Sequence, residues 1–394
     1  MARVKSKKVN DMIHRLTYMA FVWLLMLSTA CGRKSADSAG ANTVQTDSLS
    51  EVRAKYAKGF SVRYTPDGVA LLEIKDPVGK KNETYRFALV KKAERGAVPE
   101  GYTEVNVPVE NVVCMSSLQV SNFTCLGLAG LVRGVGSTMH MDHPDMQKQL
   151  KSGHTIKVGA ENGVNNEAII AIDPDVIFTS PHKSASGLNL PGVENTQVPH
   201  LGYQELTPLG QAEWMKVAGL FTGHEREANA RFAEIEKSYN TLKAKAAAVK
   251  HRPIVFTGNM TGGSWYTMGG RSFMANLFRD AGAEYVLADN PETGSLHLDF
   301  EAIYAKAANA DYWRTISSFD GDFTYADLLA QDARYADFRA FKNKGVIFCN
   351  LKNTPMYDRL PVEPHELLAD FIQVFHPELV PASRKPRFFH LLKK

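Results

Sequence analysis

The chain has 394 residues, of which 44% are hydrophobic, and its 46 basic and 42 acidic side chains give a formal net charge of +4. Five of the basic residues fall within the first 15 positions, so the rest of the chain is close to neutral and nucleic acid is not expected as a partner. A mature chain of roughly 360 residues is too long for one typical hydrophobic core, which predicts two lobes.

The first 30 residues have the three parts of a secretory signal peptide. Basic residues between Arg3 and Arg15 precede an almost wholly apolar run, Leu16 to Leu27, and residues 28–30 are small. The apolar run is shorter than the about 20 residues that a membrane-spanning helix needs. The sequence therefore predicts an exported protein.

Cys31 directly follows these small residues and resembles the lipidated cysteine of a bacterial lipobox. Ser28 stands where the lipobox usually has a large apolar residue, and Leu27 lies one place further back. We predict Cys31 as the lipid-bearing N-terminus of the mature protein; the alternative is ordinary cleavage near Ala30, with Cys31 an incidental thiol. Residues 31–50 are small and polar, which predicts a flexible tether.

Residues 51–206 are predicted to form an N-terminal lobe with a small antiparallel β annex at its start. In the annex, two strands flank the turn signal Pro66-Asp67-Gly68, which predicts a hairpin, and a third strand follows at residues 84–90. From residue 111, apolar strands alternate with helical stretches, which predicts a doubly wound parallel sheet. The predicted elements are strands at 112–115, 132–135, 156–158 and 175–178 and helices at 118–131 and 166–171.

Residues 207–250 are predicted to form two connecting helices. The first runs from Thr207 to about Phe221, and the second runs from His224 to Val249 with apolar residues stepping by four and three. At 1.5 Å per residue the second helix is about 39 Å long, which suits a strut between two lobes. A coiled-coil dimer seam is the rival interpretation, but about three heptads is short for one.

Residues 251–394 repeat the α/β pattern and are predicted to form the C-terminal lobe. The predicted elements are strands at 253–256, 310–316 and 345–349, a Gly-rich loop at 257–270, and helices at 272–281, 298–308 and 366–375. The predicted fold is thus α/β, with two doubly wound lobes joined by one long helix and a small N-terminal antiparallel β annex.

This organisation resembles the class III periplasmic substrate-binding proteins that serve ABC importers of cobalamin, ferric siderophores and haem. The motifs that carry the resemblance follow one another over about residues 110 to 380. They are Val112–Ser117, the helix–strand segment 165–177, Trp265-Tyr266, Gly269-Gly270, Asp280–Ala283, Leu298–Glu301, Ala310-Asp311 and Pro364-His365-Glu366. The resemblance implies a monomeric receptor on the periplasmic side of the cell envelope, which delivers a metal chelate to an ABC permease of the inner membrane and carries no cofactor.

Ligands are expected in the cleft between the lobes, at loops that follow the carboxyl ends of strands. Aromatic rings beside a basic residue suit a flat or chelated ligand that carries carboxylates. The candidate contacts are Ser116, Ser117, Gln119, Ser180, His182, Trp265, Tyr266, Arg271, Asn350, Lys352 and Tyr357. Trp265 and Tyr266 have core packing as their alternative role, and Arg271 a structural ion pair. An iron complex, ferric siderophore or haem, is the favoured ligand, and cobalamin is the alternative.

Glu167 and Glu301 each lie near the start of a short helix, at corresponding places in the two lobes. The resemblance implies that they dock onto arginines of the permease, one glutamate per lobe. The structural alternative is stabilisation of each helix N-terminus by a negative charge.

The remaining chemistry-bearing residues give weaker signals. His140 and His143 lie in the run Met139 to Met146, a weak metal-binding candidate for which a solvated loop is the favoured interpretation. Cys114, Cys125 and Cys349 lack zinc-site spacing and are expected to be buried thiols, with a Cys114–Cys125 disulfide left open. No nucleophile elbow or phosphate loop is present, so an enzyme is not expected. The alternatives from other classes are a chelatase-like or haem-modifying enzyme and a purely structural lipoprotein.

Overall fold

A computed structural model describes residues 51–92, 96–159, 163–181 and 197–393, all within one compact unit of residues 47–394. The predicted signal peptide, Cys31, the whole predicted tether and His182 lie outside the described residues. Among the helices that the structure describes, none combines the length and apolar character needed to cross a membrane.

The annex is a four-stranded sheet in the order β1-β2-β3-β4. Its strands are β1 Phe60–Tyr64, β2 Ala70–Lys75, β3 Thr84–Lys91 and β4 Thr103–Val107. The predicted β1–β2 hairpin is confirmed, and β3 extends it in antiparallel pairing. The prediction of an antiparallel annex is wrong for its last strand, because β4 pairs parallel to β3.

The N-terminal lobe contains a five-stranded parallel sheet in the order β7-β6-β5-β8-β9. Its elements are β5 Val112–Cys114, α1 Ser117–Thr124, β6 Val132–Val135, α2 Pro144–Ser152, β7 Ile156–Lys157, α3 Asn166–Ile172, β8 Val176–Thr179 and β9 Gln197–Pro199. The chain first adds strands on one side of β5 and then on the other, which confirms the doubly wound prediction. β5 and β8 are fully buried apolar strands, as a sheet covered on both faces requires.

Three helices connect the lobes, namely α4 Pro208–Ala212, α5 Met215–Thr222 and α6 Glu225–Ala247. The predicted first helix is in fact two, because the chain turns at Glu213 and Trp214, whose side chains contact residues 55–60 of the annex. The long second helix is confirmed: α6 has 23 residues. Its buried stripe is the predicted one, with Ala228, Phe232, Ile235, Tyr239 and Ala246 buried.

The C-terminal lobe has a five-stranded sheet in the order β13-β10-β15-β16-β17, parallel except for the edge strand β17. Its strands are β10 Ile254–Thr257, β13 Glu284–Tyr285, β15 Tyr312–Ser317, β16 Val346–Asn350 and β17 His390–Leu391. Its helices are α7 Phe273–Asp280, α8 Phe300–Ala307, α9 Tyr325–Gln331, α10 Arg339–Lys342, α11 Met356–Arg359 and α12 Pro364–Phe375. Short 3₁₀ turns cover Ala129–Leu131, Gly202–Gln204, Ala333–Asp337 and Pro377–Leu379.

The predicted Gly-rich loop at 257–270 is wrong. It contains the strands β11 Asn259–Thr261 and β12 Ser264–Met268, and β12 pairs in turn with β14 Ser295–Leu298 in an antiparallel sheet. Gly262 and Gly263 have φ of 59° and 84° and form the two-residue turn between β11 and β12. Such a turn needs positive φ at both positions, which is why glycine occupies them.

One hydrophobic core lies in the C-terminal lobe and includes the stripe of α6, while a second core is shared by the annex and the N-terminal lobe. Phe60 of the annex, for example, packs edge-on against Trp214 at 5.2 Å between ring centroids. The annex is therefore part of the N-terminal lobe rather than a separate domain.

Candidate functional site: the cleft between the lobes

In the N-terminal lobe, the strand order reverses between β5 and β8, and their carboxyl ends lie side by side. Gln119 joins the two ends: its Oε1 accepts the N–H of Ser116 at 3.1 Å, and its Nε2 donates to Oγ of Ser180 at 2.9 Å. Ser117, the first residue of α1, is half-buried beside them. The structure thus brings together four predicted site residues at the edge where doubly wound sheets bind ligands.

In the C-terminal lobe, the corresponding reversal lies between β10 and β15, next to Thr257 and Gly258. The carbonyl of Thr257 accepts hydrogen bonds from Nε1 of Trp265 at 3.1 Å and from Oγ1 of Thr267 at 2.7 Å. Gly258 has φ of 106°, and a Cβ there would lie 2.0 Å from the carbonyl oxygen of Tyr266. Only glycine therefore allows the β11–β12 hairpin to fold back over the end of β10.

The two lobes touch directly at one end of the cleft. The loop after β6 reaches α11, where Oδ2 of Asp358 accepts the N–H of Asp142 at 3.1 Å. The rings of His140 and Tyr357 are 4.8 Å apart beside this bond. Asp358 has no exposed surface, and burial raises its pKa. This contact closes the β6 and β16 side of the cleft.

At the opposite end, where β8 and β9 terminate, a cavity of about 470 Å³ lies between the lobes. Organic ligands occupy pockets of about 300–1,000 Å³, so the size is suitable for one. Three parts of the chain line the cavity: the annex loop after β2 with Asp76, Val78, Lys80 and Lys81, the N-terminal lobe with Pro181 and residues 203–206, and the C-terminal lobe with Phe273, Thr293 and Gly294.

Two predicted ligand contacts have structural roles. Trp265 has 0% of its surface exposed and packs among five aromatic rings, including Trp313 at 5.8 Å and Phe338 at 5.6 Å. Asn350 is buried, and its amide bonds the backbone of Phe319 in both directions, at 2.9 and 3.2 Å. Both side chains are engaged inside the C-terminal lobe, so burial favours the packing role for Trp265, and a ligand contact by either residue stays a prediction from the sequence.

Four predicted contacts remain accessible. Tyr266 is half-buried on the opposite face of β12 from Trp265, with its ring 5.2 Å from that of His297. Arg271 is exposed in the loop before α7. Lys352 is exposed and forms an ion pair with Asp320, and Tyr357 is 40% exposed at the contact between the lobes. We retain these four as candidates.

Sequence reasoning missed Arg314, a buried cation on the central strand β15. Arg314 is 6% exposed, and burial lowers its pKa to about 10. Its guanidinium lies 4.7 Å from the ring centroid of Phe389, its Nη1 donates to Oγ1 of Thr257 at 3.4 Å, and its Nε has no partner among the described residues. The signal was available, because an arginine is unusual within an otherwise apolar central strand.

The metal candidates lie in a largely exposed loop, as expected, and this loop also reaches the contact between the lobes. Nδ1 of His143 accepts the N–H of Asp145 at 3.3 Å and caps α2, while His140 packs on Tyr357. Within the ranges that the structure describes, no group of three or more His, Cys, Asp or Glu side chains is arranged to hold a metal ion. Cys114, Cys125 and Cys349 are all free, so the open Cys114–Cys125 disulfide does not form.

Glu167 and Glu301 lie in corresponding places, as predicted from the sequence. Each is exposed in the first turn of its helix, α3 and α8 respectively. Ile170, one turn further along α3, is 59% exposed, which is unusual for a large aliphatic side chain. The surfaces around the two glutamates are therefore open to a partner, although the helix dipole also favours a negative charge at each site.

Two opposed α/β lobes joined by one long helix define a two-lobed binding protein. The sequence model of the periplasmic binding protein family matches residues 112–351. The chain therefore belongs to the periplasmic binding protein family and is a substrate-binding protein of the ABC-importer type. The family match begins at β5, which leaves the annex outside it.

Three known proteins illustrate the similarity. An uncharacterized lipoprotein of Methanocaldococcus jannaschii is 28% identical over 301 residues, which is 74% of this chain and 70% of that one. A periplasmic heme binding protein from Pseudomonas aeruginosa superimposes with a TM-score of 0.56 at 20% identity, covering 73% of this chain and 99% of that one. The periplasmic vitamin B12 binding protein of Vibrio cholerae gives a TM-score of 0.50 at 15% identity, covering 68% and 96%. The two solved structures support the fold.

Proposed function

We propose that this protein is a lipid-anchored receptor that captures an iron complex, a ferric siderophore or haem, between its lobes and delivers it to an ABC permease. The observation that carries the proposal is the cleft between two opposed switch points, with a cavity of about 470 Å³ at its open end. An iron chelate is an organic ligand of the size that such a cavity holds.

The residues around the cleft suit an anionic chelate. Ser116 and Ser117 offer hydroxyl groups on one lobe, while Tyr266 and Arg271 offer a ring and a guanidinium on the other. A ring stacks on a flat ligand and a guanidinium pairs with carboxylate oxygens in two parallel hydrogen bonds. Pairing of this kind would orient the chelate as well as hold it.

The binding experiment uses the purified apo-protein with haemin, two ferric siderophores of opposite net charge, and cyanocobalamin. Absorbance difference spectra and isothermal titration give the affinity for each compound. Tight binding of haemin or a siderophore, without chemical change of the bound compound, is the expected result. Chemical conversion of the bound compound would overturn the receptor function in favour of an enzyme. Binding of cyanocobalamin alone would identify the ligand as a corrinoid rather than an iron complex.

Docking to the permease is proposed to involve Glu167 and Glu301. The double variant Glu167→Arg/Glu301→Arg is expected to abolish uptake into cells while its ligand affinity stays unchanged, since both residues are exposed at helix starts. Glu104 and Glu378 are exposed acids elsewhere on the chain, and their double reversal is the matched control. Normal uptake by the first variant would end the docking proposal.

The lipid anchor is proposed to be attached at Cys31. Cys31→Ser is expected to move the protein from the membrane fraction to the soluble envelope fraction and to remove label from cells fed a radioactive fatty acid. A tether keeps the receptor at high local concentration near the permease, so uptake should also slow. Continued labelling of the Cys31→Ser protein would assign the lipid to another site or exclude it.

A further inference from the structure

The annex contributes one wall of the cavity between the lobes. Its loop after β2 supplies Asp76, Val78, Lys80 and Lys81, and these residues face the cavity together with Pro181 and Phe273 of the two lobes. The annex precedes the segment that matches the family, so this wall lies outside the matched part of the chain. A ligand in the cavity would contact three parts of the protein rather than two.

Two buried carboxylates fix the annex to the helices between the lobes. Glu205 accepts the N–H groups of Lys58 and Gly59, with its shortest contact at 2.8 Å, and the indole N–H of Trp214 at 3.1 Å. Glu213 accepts hydrogen bonds from the backbone N–H groups of annex residues 55–57, at 2.7 to 2.9 Å. Because both acids are at most 3% exposed, the annex is held firmly in place beside the cavity.

The annex loop presents positive charge to the cavity. The carboxylate of Asp76 accepts the N–H groups of Val78, Lys80 and Lys81 at 2.8 to 3.0 Å and so shapes the loop. The other acid of the lining, Glu205, is occupied by the hydrogen bonds just described. Lys80 and Lys81 are exposed, and among the described residues neither forms an ion pair with a carboxylate. The formal charges of the lining balance, but both carboxylates are engaged by N–H groups, so the ammonium groups of Lys80 and Lys81 are the charged groups left to pair with a ligand.

The rest of the lining is largely apolar, with Val78, Pro181, Leu206 and Phe273 around the same space. An apolar wall opposite two ammonium groups matches a ligand that has an apolar body and anionic groups at one edge. A neutral ligand of the same size would leave the ammonium groups without a counter-charge.

We propose that Lys80 and Lys81 of the annex bind the anionic groups of the ligand, so that the annex makes this receptor selective for an amphipathic chelate carrying two or more carboxylates or other anionic oxygens. This inference rests on the proposed function and names the ligand class for its site.

The test compares Lys80→Gln/Lys81→Gln with a matched control, Lys75→Gln/Lys92→Gln, which removes two exposed lysines of the annex that do not line the cavity. The probes are haemin, which carries two carboxylates, haemin dimethyl ester, which has the same ring without them, and neutral cyanocobalamin. The first variant should bind haemin about 10- to 100-fold more weakly than wild type, since each charge-assisted hydrogen bond is worth about tenfold or more. The control variant should bind haemin within about twofold of wild type. Haemin dimethyl ester should bind Lys80→Gln/Lys81→Gln and wild type with affinities within about twofold of each other.

Each result decides something specific. Equal haemin affinity for the two variants would overturn the role of Lys80 and Lys81 while leaving the receptor function intact. Wild-type binding of cyanocobalamin alone would overturn the selectivity for anionic ligands. If wild type binds no chelate, the proposed function fails, and the anionic apolar dye 1-anilinonaphthalene-8-sulfonate then tests the cavity. Weaker dye binding by Lys80→Gln/Lys81→Gln than by the control would still support a cationic site, and equal binding would overturn it.

Discussion

Removal of the Glu213 carboxylate is predicted to destabilise the protein severely. Glu213 has 0% of its surface exposed, and its carboxylate accepts hydrogen bonds from four donor groups. Three come from the backbone N–H groups of residues 55–57, and the fourth comes from the ammonium of Lys216 at 2.8 Å. Glu213→Ala would leave that ammonium, on a residue only 7% exposed, without its counter-charge.

The size of the effect follows from the groups left without partners. Breaking a buried ion pair on one side costs about 3–5 kcal/mol, and each buried N–H without an acceptor costs about 1–3 kcal/mol. Ala57 is buried, whereas Lys55 is exposed and its N–H can bond water instead. We therefore expect a loss of about 4–8 kcal/mol, a large part of the about 5–15 kcal/mol by which folded proteins are stable.

Urea denaturation at pH 7, followed by tryptophan fluorescence, measures the loss. Glu234→Ala is the control, since that acid is 70% exposed and should change stability by less than about 0.5 kcal/mol. Adding Lys216→Met to Glu213→Ala should recover part of the loss, because it removes the unpaired buried charge. Amide exchange of residues 55–57 should accelerate in Glu213→Ala. A loss below about 1 kcal/mol would refute the reasoning that these hydrogen bonds hold the annex.

Three further predictions concern other buried groups. Burial lowers the pKa of His200 from 6.5 to about 3, so its imidazole stays neutral in the folded protein while the unfolded chain binds a proton. The free energy of unfolding should therefore fall as the pH drops below about 6.5, by up to about 1.4 kcal/mol per pH unit. His200→Gln should flatten that slope, as measured by urea midpoints at several pH values. Trp265→Ala should cost about 3–5 kcal/mol and Tyr266→Ala less than about 1.5 kcal/mol in the same assay; equal losses would contradict the assignment of Trp265 alone to the core. Burial raises the pKa of Asp358, so its protonated carboxyl contributes fully to stability at low pH, and this contribution is lost as the pH rises through the raised pKa. Asp358→Asn should therefore be more stable than wild type at pH 7 and lose that advantage near pH 3.5. The same stability difference at both pH values would refute this prediction.

The elements that could be predicted from the sequence are those whose burial follows a single period. The stripe of α6 steps by four and three along one face, and the buried residues are the predicted ones. The β11–β12 hairpin was missed because its strands are only three and five residues long, too short for alternation to stand out among glycines. The same alternation explains why Trp265 is buried and Tyr266 is not.

The candidate site was predictable where it depends on strand ends and not where it depends on contacts distant in sequence. Ser116, Gln119 and Ser180 were found because ligands bind at the carboxyl ends of strands, and these ends do lie together. The same rule nominated Asn350, whose amide is used by the backbone of Phe319. Lys80 lies about 190 residues before Phe273, the residue of the other lobe that lines the same cavity, and nothing local in the sequence indicates that proximity.

The two ends of the cleft respond to the same motion. The annex moves with the N-terminal lobe, since Glu205 and Glu213 tie it to the helices at that lobe's base, whereas Phe273 belongs to the other lobe. A rotation that carries Phe273 and α11 together away from the N-terminal lobe would widen the cavity and also stretch the hydrogen bond from Asp142 to Asp358. A ligand that fills the cavity and pairs with the annex stabilises the closed arrangement by its differential affinity for it. Glu167 and Glu301 lie one on each lobe, so such a rotation would change their spacing, and a permease docked on both as proposed above would then distinguish a loaded receptor from an empty one.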